Sequence, residues 1–163
     1  MKRLWSPWRM KYIQQETELG DCPFCQALLE SDPAGVYIIH KGENSFVILN
    51  RFPYTTGHLL ILPDKHKENL ADLEGDTQAE LMELITKAMG VLQDTYHPEG
   101  FNVGLNMGEA AGAGIPKHLH WHLVPRWAGD TNYMSSVGDV RVLPELLEDT
   151  YRKVHNAWLA WSG

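Results

Sequence analysis

Apolar and polar positions change rhythm several times along the chain, and each rhythm predicts a different element. Val36-Tyr37-Ile38-Ile39-His40 and Ser45-Phe46-Val47-Ile48-Leu49 are short β-branched and aromatic runs, and Lys41-Gly42-Glu43-Asn44 between them suits a hairpin. A loop from Arg51 to Gly57 leads to a third strand, His58 to Leu62, which Pro63 closes. From Thr77 to Tyr96 the period lengthens: Leu81, Leu84, Ile85, Ala88, Met89 and Leu92 recur at spacings of three and four, the stripe of a core-facing helix. Asp76 is the expected N-cap and His97-Pro98 the stop. Phe101 to Asn106 predicts a fourth strand, and Leu119 to Val124 a fifth, stopped by Pro125. Gln26 to Glu30 suggests a short helix, and Leu143 to Leu159 has helical spacing suited to packing across the body. Because the strands follow one another as hairpins, the expected architecture is α+β: a five-stranded antiparallel sheet with helices packed on one side.

Composition narrows this picture without altering it. The chain has 163 residues, 44% apolar and 21% charged, enough for one packed domain over 1–163. Trp5, Trp8, Met10, Tyr12 and Ile13, mixed with basic residues, predict an irregular N-terminal arm docking on its own core or on a partner. No apolar run reaches the ~18 residues of a membrane span, so no membrane partner is expected. The start has no apolar h-region, which points to the cytoplasm. A net charge of −7 disfavours a nucleic-acid partner but allows a small anionic ligand held by a few local donors, backbone N–H groups among them.

Chemistry concentrates in Lys117-His118-Leu119-His120-Trp121-His122-Leu123-Val124-Pro125-Arg126. On a strand, His118, His120 and His122 share one face, about 7 Å apart per pair, while Leu119, Trp121 and Leu123 bury the other. A core rarely accommodates three imidazoles in a row, since every ring nitrogen needs a partner. The residues allow a metal site or a histidine nucleophile. The preceding loop, Asn106 to Pro116, has few bulky side chains before Ile115, so its amides could approach phosphate oxygens closely.

His118-Leu119-His120-Trp121-His122-Leu123-Val124 resembles the signature of the histidine-triad family, and Asn50-Arg51-Phe52-Pro53 through His58 to Pro63 is similar to the family's nucleotide-binding half. The resemblance covers about residues 20–130, leaving the arm and a C-terminal helical extension outside it, and is nearest the branch of diadenosine polyphosphate hydrolases and phosphorylases. It implies that His120 attacks the α-phosphorus of a nucleotide to form a nucleotidyl-histidine, assisted by His122. It implies substrate contacts from Asn50, which holds the ribose, and from His58. Asn106, Gly114 and Lys117 are candidate donors to phosphate, with Arg51 a further local cation. Where the hydrolases carry Gln or Ser before the triad, Gly112-Ala113-Gly114-Ile115-Pro116-Lys117 leaves room for a second anion. That favours inorganic phosphate as acceptor, hence phosphorolysis of diadenosine tetraphosphate to ADP and ATP. The alternatives are hydrolysis and a nucleotide-binding module without turnover. The family resemblance also implies a homodimer.

Cys22-Pro23-Phe24-Cys25 has three readings: a redox pair, two unmetallated thiols, or half of a zinc site. Residues 14–21 do not form a convincing strand, which weakens the redox reading. The family resemblance implies the other two ligands, His66 and His118, giving a structural zinc that pins the N-terminal segment to the triad strand. A protein whose histidines bind only metal remains a further reading. His40, His97 and His155 stand outside any constellation and are expected at the surface or at caps, and Trp127, Trp158 and Trp161 in packing.

Overall fold

The computed structural model describes residues 22–131 and 144–162. The expected aromatic arm, Asn132-Tyr133-Met134 and the expected start of the tail helix at Leu143 lie outside the described residues. Five strands, β1 (Ile38–Lys41), β2 (Ser45–Leu49), β3 (Leu59–Pro63), β4 (Gly100–Leu105) and β5 (Trp121–Arg126), form one antiparallel sheet in the order β1-β2-β3-β5-β4. Helix α1 (Pro23–Leu29) precedes the sheet, α2 (Gly75–Tyr96) connects β3 to β4, and α3 (Leu147–Ala160) follows β5.

Strand alternation divides the core in two. Val47, Leu49, Leu59, Ile61 and Leu123 face Leu81, Leu84, Ile85, Ala88, Val91 and Leu92 of α2 and Val154 and Trp158 of α3. Phe46, Ile48, Leu60 and Leu62 point the other way, onto Phe24 and Ala27 of α1 and Ile115 of the pre-triad loop. Burying each such aliphatic side chain contributes roughly 1.5–3 kcal/mol, so both faces are needed. The expectation of helices on one side is therefore corrected. β2 and β3 are buried at every position, and unbroken apolar strands need cover on both faces.

Both strand prolines are paired: Pro63 closes β3 as its last residue, as expected, whereas β5 runs one residue past Pro125 to Arg126, a correction to the expected stop. Pro63 lies opposite Ser45 and Pro125 opposite Phe101. The β3–β5 ladder runs only from Leu59↔Leu123 to Ile61↔Trp121. Each proline turns its N-substituted side toward the interval where that ladder has ended, so no hydrogen bond is forfeited. The carbonyls on the same sides are taken by side chains: Thr55 Oγ1 donates to Pro125 O at 2.8 Å and His118 Nε2 lies 2.9 Å from Pro63 O.

Other boundaries move for local reasons. β1 begins at Ile38 because Tyr37 adopts φ 64, ending the turn that precedes it. Glu74, not Asp76, is the N-cap of α2, since the Gln78 amide already bonds the Glu74 carbonyl; Asp76 instead sits in the first turn, where the helix dipole favours its charge. His97 closes the helix in the left-handed conformation, its N–H bonding Gln93 O. Gly90 sits within α2 because Trp161 packs there: a Cβ would lie 2.6 Å from the indole. Trp158 is 2% exposed. His40 departs from expectation, being half-buried with its ring stacked on Trp158 at 5.1 Å.

Candidate functional site

The histidines lie on the α1 face of the sheet. Trp121 and Leu123 point toward α2, so His122 between them points the opposite way. β5 itself begins only at Trp121, so His118 and His120 lie just before the strand rather than in its ladder, a correction to the uniform alternating row. The segment is held nonetheless, because the Leu119 amide donates to Lys67 O at 2.7 Å. The resulting ring spacing is shorter than a strand would give: His120 and His122 have centroids 5.1 Å apart in an edge-on arrangement.

Two clusters meet along this segment. In the first, Cys22, Cys25, His66 and His118 place their ligand atoms within 4.8 Å of one another. His118 Nδ1 lies 3.5 Å from Cys22 Sγ and 3.6 Å from Cys25 Sγ, and His66 Nδ1 lies 3.3 Å from Cys25 Sγ. A tetrahedral zinc with ordinary Zn–S and Zn–N bonds separates S and N ligands by about 3.6 Å, so the cluster has the dimensions of a Cys2His2 site. Pro63 O accepts a hydrogen bond from His118 Nε2–H, leaving the lone pair on Nδ1, the atom that faces the sulfurs. Burial drives the His118 imidazole down to about 4, against the Pro63 carbonyl, so it is neutral and able to ligate. Burial, then Lys117, also lowers His66. Burial and the adjacent Cys22 sulfur push the Cys25 thiol up to about 11, the opposite of the depressed thiol that redox exchange requires.

The second cluster is built around the imidazoles of His120, His122 and His58. His120 Nδ1 lies 2.8 Å from His118 O. A carbonyl only accepts, so Nδ1 carries the proton and Nε2 the lone pair. Burial lowers this histidine too, keeping it neutral. On the other side, the Tyr54 amide donates to His58 Nδ1 at 3.1 Å, which assigns the His58 proton to Nε2. His58 Nε2 then donates to His122 Nδ1 at 3.0 Å, placing the His122 proton on Nε2. Neighbouring triad histidines thus have opposite polarity at Nε2: a lone pair on His120 and an N–H on His122. Such a pair can attack an electrophilic centre and donate to an anionic oxygen beside it.

The other expected residues divide. Asn50 joins this cluster, its amide nitrogen 3.3 Å from His58 Nδ1 and its oxygen accepting the Phe52 amide. Asn106 lies one position past the Leu105↔Trp121 pair, level with His120 on the adjacent chain. Gly114 lies in the loop whose Ile115 packs near Cys22. Lys117 is exposed and its charge falls on His66. Arg51 turns elsewhere, over the Tyr37 ring and onto Gly35 O. Sequence reasoning missed Phe24, whose ring lies 5.5 Å from that of His118 and 5.3 Å from that of His120. It also missed Tyr54, stacked over His122 at 5.8 Å. Phe24 stands between the cysteines and Tyr54 four residues before His58; position beside the expected site residues was the signal for both.

The sequence profile of the HIT domain matches residues 35–129. The AP-4-A phosphorylase of Mycobacterium tuberculosis is 38% identical over 97% of this chain and 85% of its own length. The asymmetrical bis(5'-nucleosyl)-tetraphosphatase of Schizosaccharomyces pombe is 28% identical over 60% of this chain and 53% of its own. Among solved structures, a Zn-bound histidine triad family protein from Mycobacterium smegmatis superposes with a TM-score of 0.70 at 28% identity, covering 86% of this chain and 95% of the other.

Proposed function

The chain belongs to the HIT-domain family, and from that premise we propose that it is a nucleotidyl-transferring enzyme acting on diadenosine polyphosphates. His120 Nε2 attacks the α-phosphorus; an N–P bond forms, the bond to the bridging oxygen breaks and, from diadenosine tetraphosphate, ATP leaves. Inorganic phosphate then attacks the nucleotidyl-histidine, releasing ADP and restoring the imidazole. His122 donates its Nε2 proton in hydrogen bonds to the phosphate and the leaving oxygen, and His58 fixes its tautomer. Asn50, His58, Asn106, Gly114 and Lys117 bind substrate. Phosphorolysis is preferred to hydrolysis because the likeness to a named phosphorylase extends over nearly the whole chain, whereas the tetraphosphatase likeness covers 60% of it.

The observation that carries this reading is the 2.8 Å contact of His120 Nδ1 with the His118 carbonyl, which leaves the lone pair on Nε2 of a ring whose centroid lies 5.1 Å from that of His122. Zinc held by Cys22, Cys25, His66 and His118 supplies a rigid crosslink when bound; the chemistry remains with the histidines. The same reading makes the protein a single-domain cytoplasmic homodimer. Exposed Asn102, Val103 and Gly104 on edge strand β4 support a pairing surface, and two free thiols suit a reducing compartment.

The test is product analysis with diadenosine tetraphosphate, with and without phosphate. ADP plus ATP formed only with phosphate supports phosphorolysis. AMP plus ATP without it identifies a hydrolase, and nucleotide binding without turnover identifies a binding module.

A further inference from the structure

The metal cluster and the imidazole cluster share one side chain that the chemistry above does not use. Phe24 lies between Cys22 and Cys25 and is 8% exposed among Ile38, Phe46, Ile48, Leu60 and Ile115. Its ring meets His118 edge-on and leans on His120 at 5.3 Å. α1, which carries it, is short at 7 residues and has no side-chain cap at Cys22, so little within the helix fixes its place. What ties it to the triad segment is the apolar cluster and the two sulfurs facing His66 and His118. Among the described residues the His120 ring bonds the His118 carbonyl, and rotation about its side-chain bonds is otherwise limited by what packs against it.

We propose that Phe24 is a positioning residue through which zinc at Cys22, Cys25, His66 and His118 holds the His120 ring in its Nδ1–H state, with the lone pair on Nε2. The proposal rests on the reading of His120 as nucleophile. Ligation by both cysteines fixes the α1 start, and with it the Phe24 ring, against the imidazole. Loss of the metal frees the first turn of α1, the aromatic wall recedes and the ring samples other rotamers and tautomers. Zinc then governs turnover without touching substrate.

The test uses the full chain, zinc-loaded and zinc-stripped, as wild type, Phe24→Ala, Phe24→Val and Phe24→Leu. Long-range 1H–15N spectra of the histidine rings report the His120 tautomer, zinc content is measured on each protein, and kcat and KM are measured on diadenosine tetraphosphate. Loaded wild type is expected to show one Nδ1–H state for His120. Stripped wild type and loaded Phe24→Ala are expected to show averaged ring signals, although the variant retains stoichiometric zinc. Its kcat falls about 10- to 100-fold, the scale of a small misplacement of a reacting group, with KM little changed. Phe24→Leu restores most of both. If Phe24→Ala fails to fold, Phe24→Val is read in its place by the same criteria. Wild-type ring signals and kcat in the loaded truncation, or an unchanged His120 on stripping, overturn the proposal. Ring signals that respond as expected in a protein without turnover uphold the coupling and overturn the enzymatic reading instead.

Discussion

His118 and His120 stand two residues apart, both buried and both neutral, yet their rings have opposite tautomers. His118 donates a hydrogen bond from Nε2–H to Pro63 O and turns Nδ1 to the sulfurs; His120 donates one from Nδ1–H to His118 O and keeps its lone pair on Nε2. The same side chain offers its lone pair at Nδ1 in one place and at Nε2 in the next because a carbonyl stands at a different edge of the ring. Pro63 is central to this contrast. It ends β3 with a carbonyl facing the interval where β5 has not yet begun, and the first triad histidine fills that interval.

The contrast can be broken most strongly at His120, the proposed nucleophile. His120→Asn is expected to lower kcat at least ~10^4-fold while metal content, fold and nucleotide affinity persist, as steady-state kinetics, metal analysis and calorimetric titration will show. Cys22→Ser attacks the other ring. It is expected to abolish stoichiometric zinc and to remove the metal-linked stabilisation, about 4 kcal/mol where free zinc is a thousand-fold above its Kd, measured by denaturant melts with and without chelator. Retained stoichiometric metal would contradict the assigned ligand set. A smaller effect sharpens the polarity of the pair. His58→Ala removes the donor that sets the His122 tautomer, and kcat is expected to fall about 10^2-fold with zinc unaffected.

The smallest effect lies away from both clusters, at His40 against Trp158. Burial, reinforced by Lys87 and opposed by Glu80, lowers this imidazole below its ordinary 6.5. The unfolded chain therefore takes up the proton first as pH falls. The contribution of His40 to stability is full above 6.5 and is lost as pH falls through 6.5 toward the folded value. His40→Gln should flatten that part of the melting-temperature profile between neutral and mildly acid pH. An unchanged slope would assign the pH dependence to other groups.

The long-range architecture was legible where one periodicity dominated. The apolar stripe of α2 marked the helix to its end at His97, and β2 matched its expected bounds because Phe46 to Leu49 bury apolar side chains on both of its faces. The ligand quartet was legible through resemblance, and the structure brings its four side chains together. The placement of α1 on the opposite face was not legible, since a run such as Leu59-Leu60-Ile61-Leu62 does not announce that each face needs its own cover. Nor were the tautomers, which depend on the Pro63 and His118 carbonyls; a backbone acceptor has no residue-type signature. Phe24 was overlooked for a related reason. Between two cysteines its type suggested only packing, and its contact with His120 arises from a fold that joins positions 96 residues apart in sequence.

The most direct test of the account is to trap the intermediate. Enzyme mixed with diadenosine tetraphosphate labelled in its adenylyl groups, without phosphate and quenched in alkali, is expected to carry one adenylyl group on Nε2 of His120, located by peptide mass spectrometry and 31P NMR. That adduct should disappear, with labelled ADP formed, when phosphate is added before the quench. An adduct on Nδ1, on His118 or His122, or turnover in which no adenylyl group ever resides on the protein, would contradict it.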